Sequence, residues 1–564
     1  MMRVIQVISF VVALLGAASV CAANGEAGAS VRIDGVCSVG LPDVGGLASV
    51  ETRRMDGGYA WRIRYAGTAP RTVTNEVWRF DFGENFRCWP VVRAQGEYVP
   101  RRLSDLGRIP DKLAKRSREK RMPKGFVSWH PGTSEGPLVV EGDGWVAALG
   151  EAGVYDYARL RFTGGGQVGR VQTRLEAVTQ VPASRMTPWR YIHVAKDCVE
   201  LANTHRRFME ALVEPSRLAD TGWIRPGKAM RVARLTTRDG LATVDFAVRN
   251  RLQYVEVDAG WYGPEETGDP LEPKIDPRRA VKGEPFDLPK VIAAAHAKGV
   301  GVILYVNWRP LMRARNAILD RLAEMGADGI KFGFVDVGNQ ASRREVIAAI
   351  EAAAARRLVV DIHDEFLLTG IQRTYPHVLT VEGVCGNEEM PPAAHNAALP
   401  FTRFLDGPGD YTFCWGDPRV KNTLSHQLAL PCLYDSGLQF LYWYQTPDRV
   451  DESNPALEFW RKLPVAFDET RWLQGRIGEF AVVARRCGTR WFVAGINSGE
   501  RRQFVLPLDF VGRAKFSARI FRDADPDDRR FNAPIRVETR SFAAGDKLTV
   551  TAAANGGFSV LIEN

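Results

Sequence analysis

Cysteine is scarce in this sequence, and what there is stands apart. Eight cysteines in 564 residues, none in a CxxC pair, exclude a zinc cage and a dense disulfide framework. No apolar run beyond the N-terminus is long enough for a membrane span. No block recurs at a fixed period, and the one biased tract is an Ala-rich run, Ser342 to Arg357, of good helix-forming composition. A strong charge of one sign is missing too, because 75 Lys and Arg face 66 Asp and Glu, a net +9. The basic residues are spread along the chain apart from Arg101 to Lys124, and they make no zinc-finger, RNA-motif or basic-helix pattern. The excess therefore reads as solubility, and nucleic acid is not expected as a partner.

What is present is an ordinary globular composition, 45% hydrophobic and 25% charged. At roughly 150 residues per domain the chain should form three or four domains, or fewer if one is a barrel. Met1-Met2-Arg3, the apolar run Val4 to Val20 and the small residues Cys21-Ala22-Ala23 read as a secretory signal over residues 1–23. The mature chain is thus expected to be periplasmic or secreted, with no stable membrane insertion after cleavage. Seven cysteines then remain, an odd number that leaves at least one thiol free.

From residue 24 to 212 short alternating strands are separated by Gly-rich and charged turns, among them Tyr59 to Tyr65, Leu138 to Val140, Trp145 to Leu149 and Tyr157 to Phe162, which predicts an antiparallel β-sandwich. From 213 to 468 apolar strands alternate with helices: Tyr254 to Asp258, a helix Asp287 to Lys298, Val300 to Val306, a helix Pro310 to Met325, Gly329 to Val335, the Ala-rich helix, Leu358 to Ile362 and Val378 to Val381. With further strands placed near Lys228 to Leu235, Leu399 to Leu405 and Leu438 to Trp443, the pattern predicts a (β/α)8 TIM barrel with its site at the strand C-terminal rim. Residues 469 to 564 return to short strands and form a small C-terminal β-sandwich-like domain.

Two barrel strands end abruptly in acids: Asp364 and Glu365 after the run to Ile362, and Glu382, Glu388 and Glu389 after Val381. Acids bunched behind buried strands repel unless a cation or a shared proton relieves them. Other strand ends supply Asp258, Trp261, Asn307, Trp308, Asp336, Asp361, His363, Asp406 and Asp410. Carboxylates and indoles at one mouth suit a sugar ring, and a glycosidase needs one protonated and one ionised carboxyl. Chemistry alone leaves metal-dependent hydrolysis of another ester or amide equally open.

Longer blocks narrow the choice. HDEFLLTGIQRTYP (363–376), VEGVCGNEE (381–389), LPFTRFLDGPGDYT (399–412), VDAGWYG (257–263), FDETRWLQGRIGEFAVVARR (467–486) and EAGVYDYARL (151–160) together resemble glycoside hydrolase family 97. That resemblance implies an N-terminal β-supersandwich, a (β/α)8 barrel and a C-terminal β domain acting on α-linked glucosides or galactosides of oligosaccharides, with a calcium ion in the site. It implies Glu388 as general acid, Glu382 and Glu151 as calcium ligands beside Asp364 and Glu388, and Asp364 as base where inverting members carry glutamate. His363, Arg373, Asp258 and Trp261 are expected to bind substrate. Arg373 could equally fix its loop, and Trp261 could cap the rim.

Departures matter as well. Retaining members place an aspartate nucleophile where this chain has Gly333, so the resemblance implies the inverting branch, chiefly α-glucosidases, in which water attacks across about 6.5 to 9.5 Å between carboxyl groups. Asn307 stands where inverting members have a glutamate, and Asp364 is one methylene short. A carbohydrate-binding homologue with weak or lost catalysis is therefore the alternative. A basic exported protein binding anionic polymer through Arg101 to Lys124 ranks below both. Sequence leaves oligomeric state open.

Overall fold

The computed structural model describes residues 30–33, 36–40, 48–108, 132–272, 284–335 and 338–563. The expected signal, Asp336 and much of the Arg101 to Lys124 run lie outside them.

The first domain is a sandwich. A seven-stranded sheet containing β1 (Trp145–Ala152) and β2 (Trp189–Ala195) faces a five-stranded sheet across a core of Trp61, Ile63, Phe80, Ala147, Leu149, Phe162 and Ile192. Side chains alternate along a strand. In β1, Ala147 and Leu149 enter the sandwich core, whereas Val146, Ala148 and Ala152 face the second core, shared with α1 (Cys198–Glu210) and the barrel.

In the barrel the strands β3 (Gly227–Arg231), β4 (Tyr254–Val257), β5 (Gly301–Asn307), β6 (Gly329–Val335), β7 (Val359–Asp364), β8 (Val378–Val381) and β9 (Leu438–Phe440) form one parallel sheet in the order β8-β7-β6-β5-β4-β3-β9. Helices α2 (Thr237–Arg249), α3 (Leu288–Ala297), α4 (Trp308–Glu324) and α5 (Gln340–Ala354) alternate with them. Their starts follow from capping: Thr236, Asp287, Asn307 and Asn339 each accept a first-turn backbone N–H with the side chain.

The strand expected near Leu399 to Leu405 is not one. Two short 3-10 turns, Leu399–Phe401 and Arg403–Leu405, stand there instead. Pro400 offers no N–H to a ladder. The buried Arg403 guanidinium serves the rim carbonyls, donating to Gly383 O at 2.6 Å and Val381 O at 3.1 Å. The gap between β8 and β9 is bridged by Gly437 N–H donating to Leu379 O (2.9 Å), with extended residues near the rim donating from Asp410 N to Val381 O (3.0 Å) and from Phe413 N to Phe440 O (2.9 Å). Seven strands and this bridge make a nearly closed barrel.

The third domain is a six-stranded antiparallel sheet backed by the pair Arg502–Pro507 and Lys547–Ala552. Two of its strands, Glu469–Arg476 and Ile535–Ala543, are not legible in the sequence because neither buries a continuous face. Helix α6 (Leu424–Leu433) joins barrel to sheet through Thr423 Oγ1 on Asp523 (2.6 Å) and His426 Nδ1 on Gly556 O (3.2 Å). The seven described cysteines form no disulfide.

Candidate active site

Registered residues on neighbouring parallel strands point the same way, so Tyr305, Lys331 and Asp361 form one row across β5, β6 and β7, with Asn307 and Gly333 paired one pleat higher. Lys331 is an ammonium group buried mid-strand, 3.7 Å from Asp258 Oδ2. Arg231 Nε lies 3.3 Å from the same oxygen. Burial alone would raise the Asp258 carboxyl, but Lys331 and Arg231 overcome it and hold the group at about 2. Asp361 in this row and Glu256, registered with Ile303 one pleat deeper, accept no hydrogen bond among the described residues, and burial raises both.

Above them sits His363. Its Nε2 is 2.8 Å from Asp410 and 3.6 Å from Asp361, and its Nδ1 is 3.2 Å from Glu382. Burial and Lys331 push the imidazole down, yet Glu382, Asp361 and Asp410 outweigh them and hold it well above its ordinary value. It is therefore a cation among acids, with both ring nitrogens committed to carboxylates. Glu382, buried and facing Asp364 and Glu388, is raised despite that cation. Glu388 is partly exposed, and its Oε1 accepts from Trp443 Nε1–H at 2.7 Å and from the Tyr444 hydroxyl at 3.4 Å. Ligand atoms of His363, Glu382 and Glu388 all lie within 4.8 Å of one another, as do those of Asp361, His363 and Asp410.

Asp364 ends β7 with φ +79, a conformation that costs an aspartate of order 1 kcal/mol and that clusters at functional sites. Its N–H donates to Glu382 Oε2 (2.7 Å), and its Oδ2 accepts from Phe334 N–H (2.8 Å). A hard divalent cation fits the carboxylates of Glu382 and Glu388, whose mutual repulsion it would relieve, with Asp364 alongside. It does not fit His363, whose nitrogens already serve acids.

Several expected residues are elsewhere. Glu151 does not join the Glu382 and Glu388 cluster. It shares the parity of Ala147 and Leu149, points into the sandwich and receives Arg190 Nη1 at 2.8 Å and Leu160 N at 3.1 Å. Burial pushes it up to about 7 despite Arg190. Trp261 is 1% exposed and donates to Tyr305 O at 2.6 Å, so it packs under the rim and presents no face to a sugar. Arg373 is exposed and fixes the domain linker by donating to Val213 O at 2.9 Å. Glu365, among the acids at the end of β7, is buried and accepts from Ala94 N at 2.8 Å and Arg93 at 3.4 Å, tying the barrel rim to the sandwich. The Asn307 amide caps α4, accepting from Arg309 N at 3.0 Å.

Residue-by-residue reading passed over Lys331, Arg231, Tyr305 and Trp443. The signal was there for Lys331, a charge inside the apolar strand Gly-Ile-Lys-Phe-Gly-Phe-Val, and for Trp443, an indole just beyond a barrel strand. A side chain added at Gly333 would overlap the Tyr305 ring, so the phenol fills the space a residue there would need.

Comparison with known proteins covers the whole layout. Family profiles described as Glycosyl-hydrolase 97 N-terminal, Glycoside hydrolase 97, and Glycosyl-hydrolase 97 C-terminal, oligomerisation match residues 37–215, 227–384 and 466–563. Together they span well over half of the chain. A probable retaining alpha-galactosidase of Streptomyces bingchenggensis is 34% identical over 424 residues, 73% of this chain and 63% of its own length. The chain thus spans somewhat less than two thirds of that relative. A retaining alpha-galactosidase of Bacteroides thetaiotaomicron is 27% identical over 577 residues, 91% of this chain and 83% of its own. Among solved structures, a family 97 enzyme in complex with acarbose from Pseudoalteromonas sp. strain K8 superposes with TM-score 0.79 at 21% identity, covering 93% of this chain and 87% of that one. A beta-arabinopyranosidase follows at TM-score 0.73 and 19% identity, covering 93% and 87%. Among the described residues no helix is long and apolar enough to cross a membrane.

Proposed function

The chain belongs to glycoside hydrolase family 97, and on that premise we propose that it is an exported α-glycosidase trimming α-linked glucosides or galactosides from oligosaccharides. One observation carries the reading: Glu388, partly exposed, converges with Glu382 and the His363 cation at the rim where parallel barrels do chemistry. Relatives named alpha-galactosidases support the α-glycosidase class.

In the proposed reaction Glu388 gives its proton to the glycosidic oxygen as the C1–O bond breaks, and a water gives C1 its new oxygen while losing a proton to Asp364. Inversion is favoured here although those relatives are named retaining, because Gly333 brings no carboxylate and Tyr305 fills the space beside it. The Asp258 carboxylate, kept ionised by Lys331 and Arg231, is suited to accept sugar hydroxyls. Calcium is the proposed cation, held by the Glu382 carboxylate with Asp364 and Glu388 adjacent. Bound there it would offset the crowded acids and orient sugar hydroxyls. Secretion to a periplasm-like compartment completes the proposal.

The test is hydrolysis of aryl α-glucosides and α-galactosides, with the first-released anomer read by NMR. Glu388→Gln should lose activity about 100-fold or more, chelation should lower turnover, and the product should be the β-anomer. An α-anomer would refute inversion, and activity untouched by E388Q would refute the assignment of the acid. The alternative, a sugar-binding homologue with weak catalysis, draws on the Oδ2 of Asp364 being taken by Phe334 N–H and on the capping role of Asn307. Sugar binding by calorimetry without product would favour it.

A further inference from the structure

A tryptophan at the mouth of a sugar-cleaving barrel invites assignment to ring stacking, but Trp443 is arranged differently. It is 2% exposed, just past β9. Lys331 Nζ lies 4.0 Å from its ring centroid and the Arg231 guanidinium carbon 4.8 Å, while the His363 ring stacks 6.1 Å away and Phe440 meets it edge-on at 5.3 Å. Its ring is enclosed by these side chains, and its polar edge is aimed at Glu388 Oε1, at 2.7 Å. Cations against an indole draw on its π density and make the N–H a better donor.

We propose that Trp443 is the positioning residue of the general acid: its N–H, strengthened by Lys331 and Arg231, pins Oε1 of Glu388 so that Oε2 carries the proton toward the glycosidic oxygen. Tyr444, 3.4 Å from the same Oε1, supports it from the side. The inference rests on Glu388 acting as the acid, and it adds a residue that acts through another without touching substrate.

A positioned acid matters only when the leaving group needs a proton. The experiment therefore compares a disaccharide with the 2,4-dinitrophenyl α-glycoside of the same sugar, whose phenolate leaves unprotonated. Trp443→Phe keeps the ring and removes the donor. It should lower kcat on the disaccharide about tenfold, the scale of one hydrogen bond, with KM little changed, and leave the dinitrophenyl substrate within about twofold. Trp443→His restores an N–H and should recover part of the loss, and it stands in if the Phe variant fails to fold. Equal losses on both substrates in whichever variant folds, or none on either in Trp443→Phe, would overturn the proposal. Wild-type protein inactive on both substrates would instead overturn the hydrolase reading, and this role with it.

Discussion

Asp258 shows how individual charges are set in this barrel. Burial opposes its ionisation, and Lys331 and Arg231 win, leaving it at about 2. A carboxyl depressed below its unfolded value of about 3.9 contributes stability that is complete above roughly pH 4 and is lost as pH falls through 2. The melting temperature of the wild type should drop across that window, and Asp258→Asn should flatten the drop. At pH 7 the variant leaves the buried Lys331 and the half-buried Arg231 without their shared acid and should lose about 3 kcal/mol, read by denaturant titration. The acids at strand ends were legible in sequence because each follows an apolar run. Glu151 was not, because whether it faces the barrel or the sandwich depends on strand phase, which its neighbours Ala147 and Leu149 fix only once they are packed.

At the scale of elements, β5 and β6 are matched as a pair. Gly333 is the residue of β6 against which the Tyr305 ring lies, so even a methyl there overlaps the phenol. Gly333→Ala should cost about 2 kcal/mol by overpacking, and combining it with Tyr305→Leu should cost at least about 1 kcal/mol less than the sum of the two single variants, measured as a double-mutant cycle. Alternation of strand and helix outlined the barrel in the sequence, since buried parallel strands read as apolar runs and Asp287 announces a helix start. It misjudged Leu399 to Leu405, whose apolar letters resemble a strand although Pro400 cannot join a ladder and Arg403 replaces one with its side chain.

Across the whole molecule, sandwich and barrel are fastened by buried polar contacts. Arg343 of α5 donates to Val154 O at 2.6 Å, Leu367 O at 2.8 Å and Thr369 Oγ1 at 3.3 Å, and Tyr98 N donates to His395 Nδ1 at 3.0 Å. Arg343→Met removes three donors from buried acceptors and should cost about 3 kcal/mol or more. Calorimetry should then resolve separate melting of the first domain where the wild type melts as one. No composition count foretells such a joint, because Val154 and Leu367 accept through backbone carbonyls that any sequence supplies.

The grip of Ala94 and Arg93 on Glu365 reaches further. Glu365 is the neighbour of Asp364, so the stiffness of the Asp364 loop is borrowed from the first domain. Warming that frees the sandwich edge would blur the placement of Asp364 while the barrel strands are still paired, and the enzyme would fall silent before it unravels.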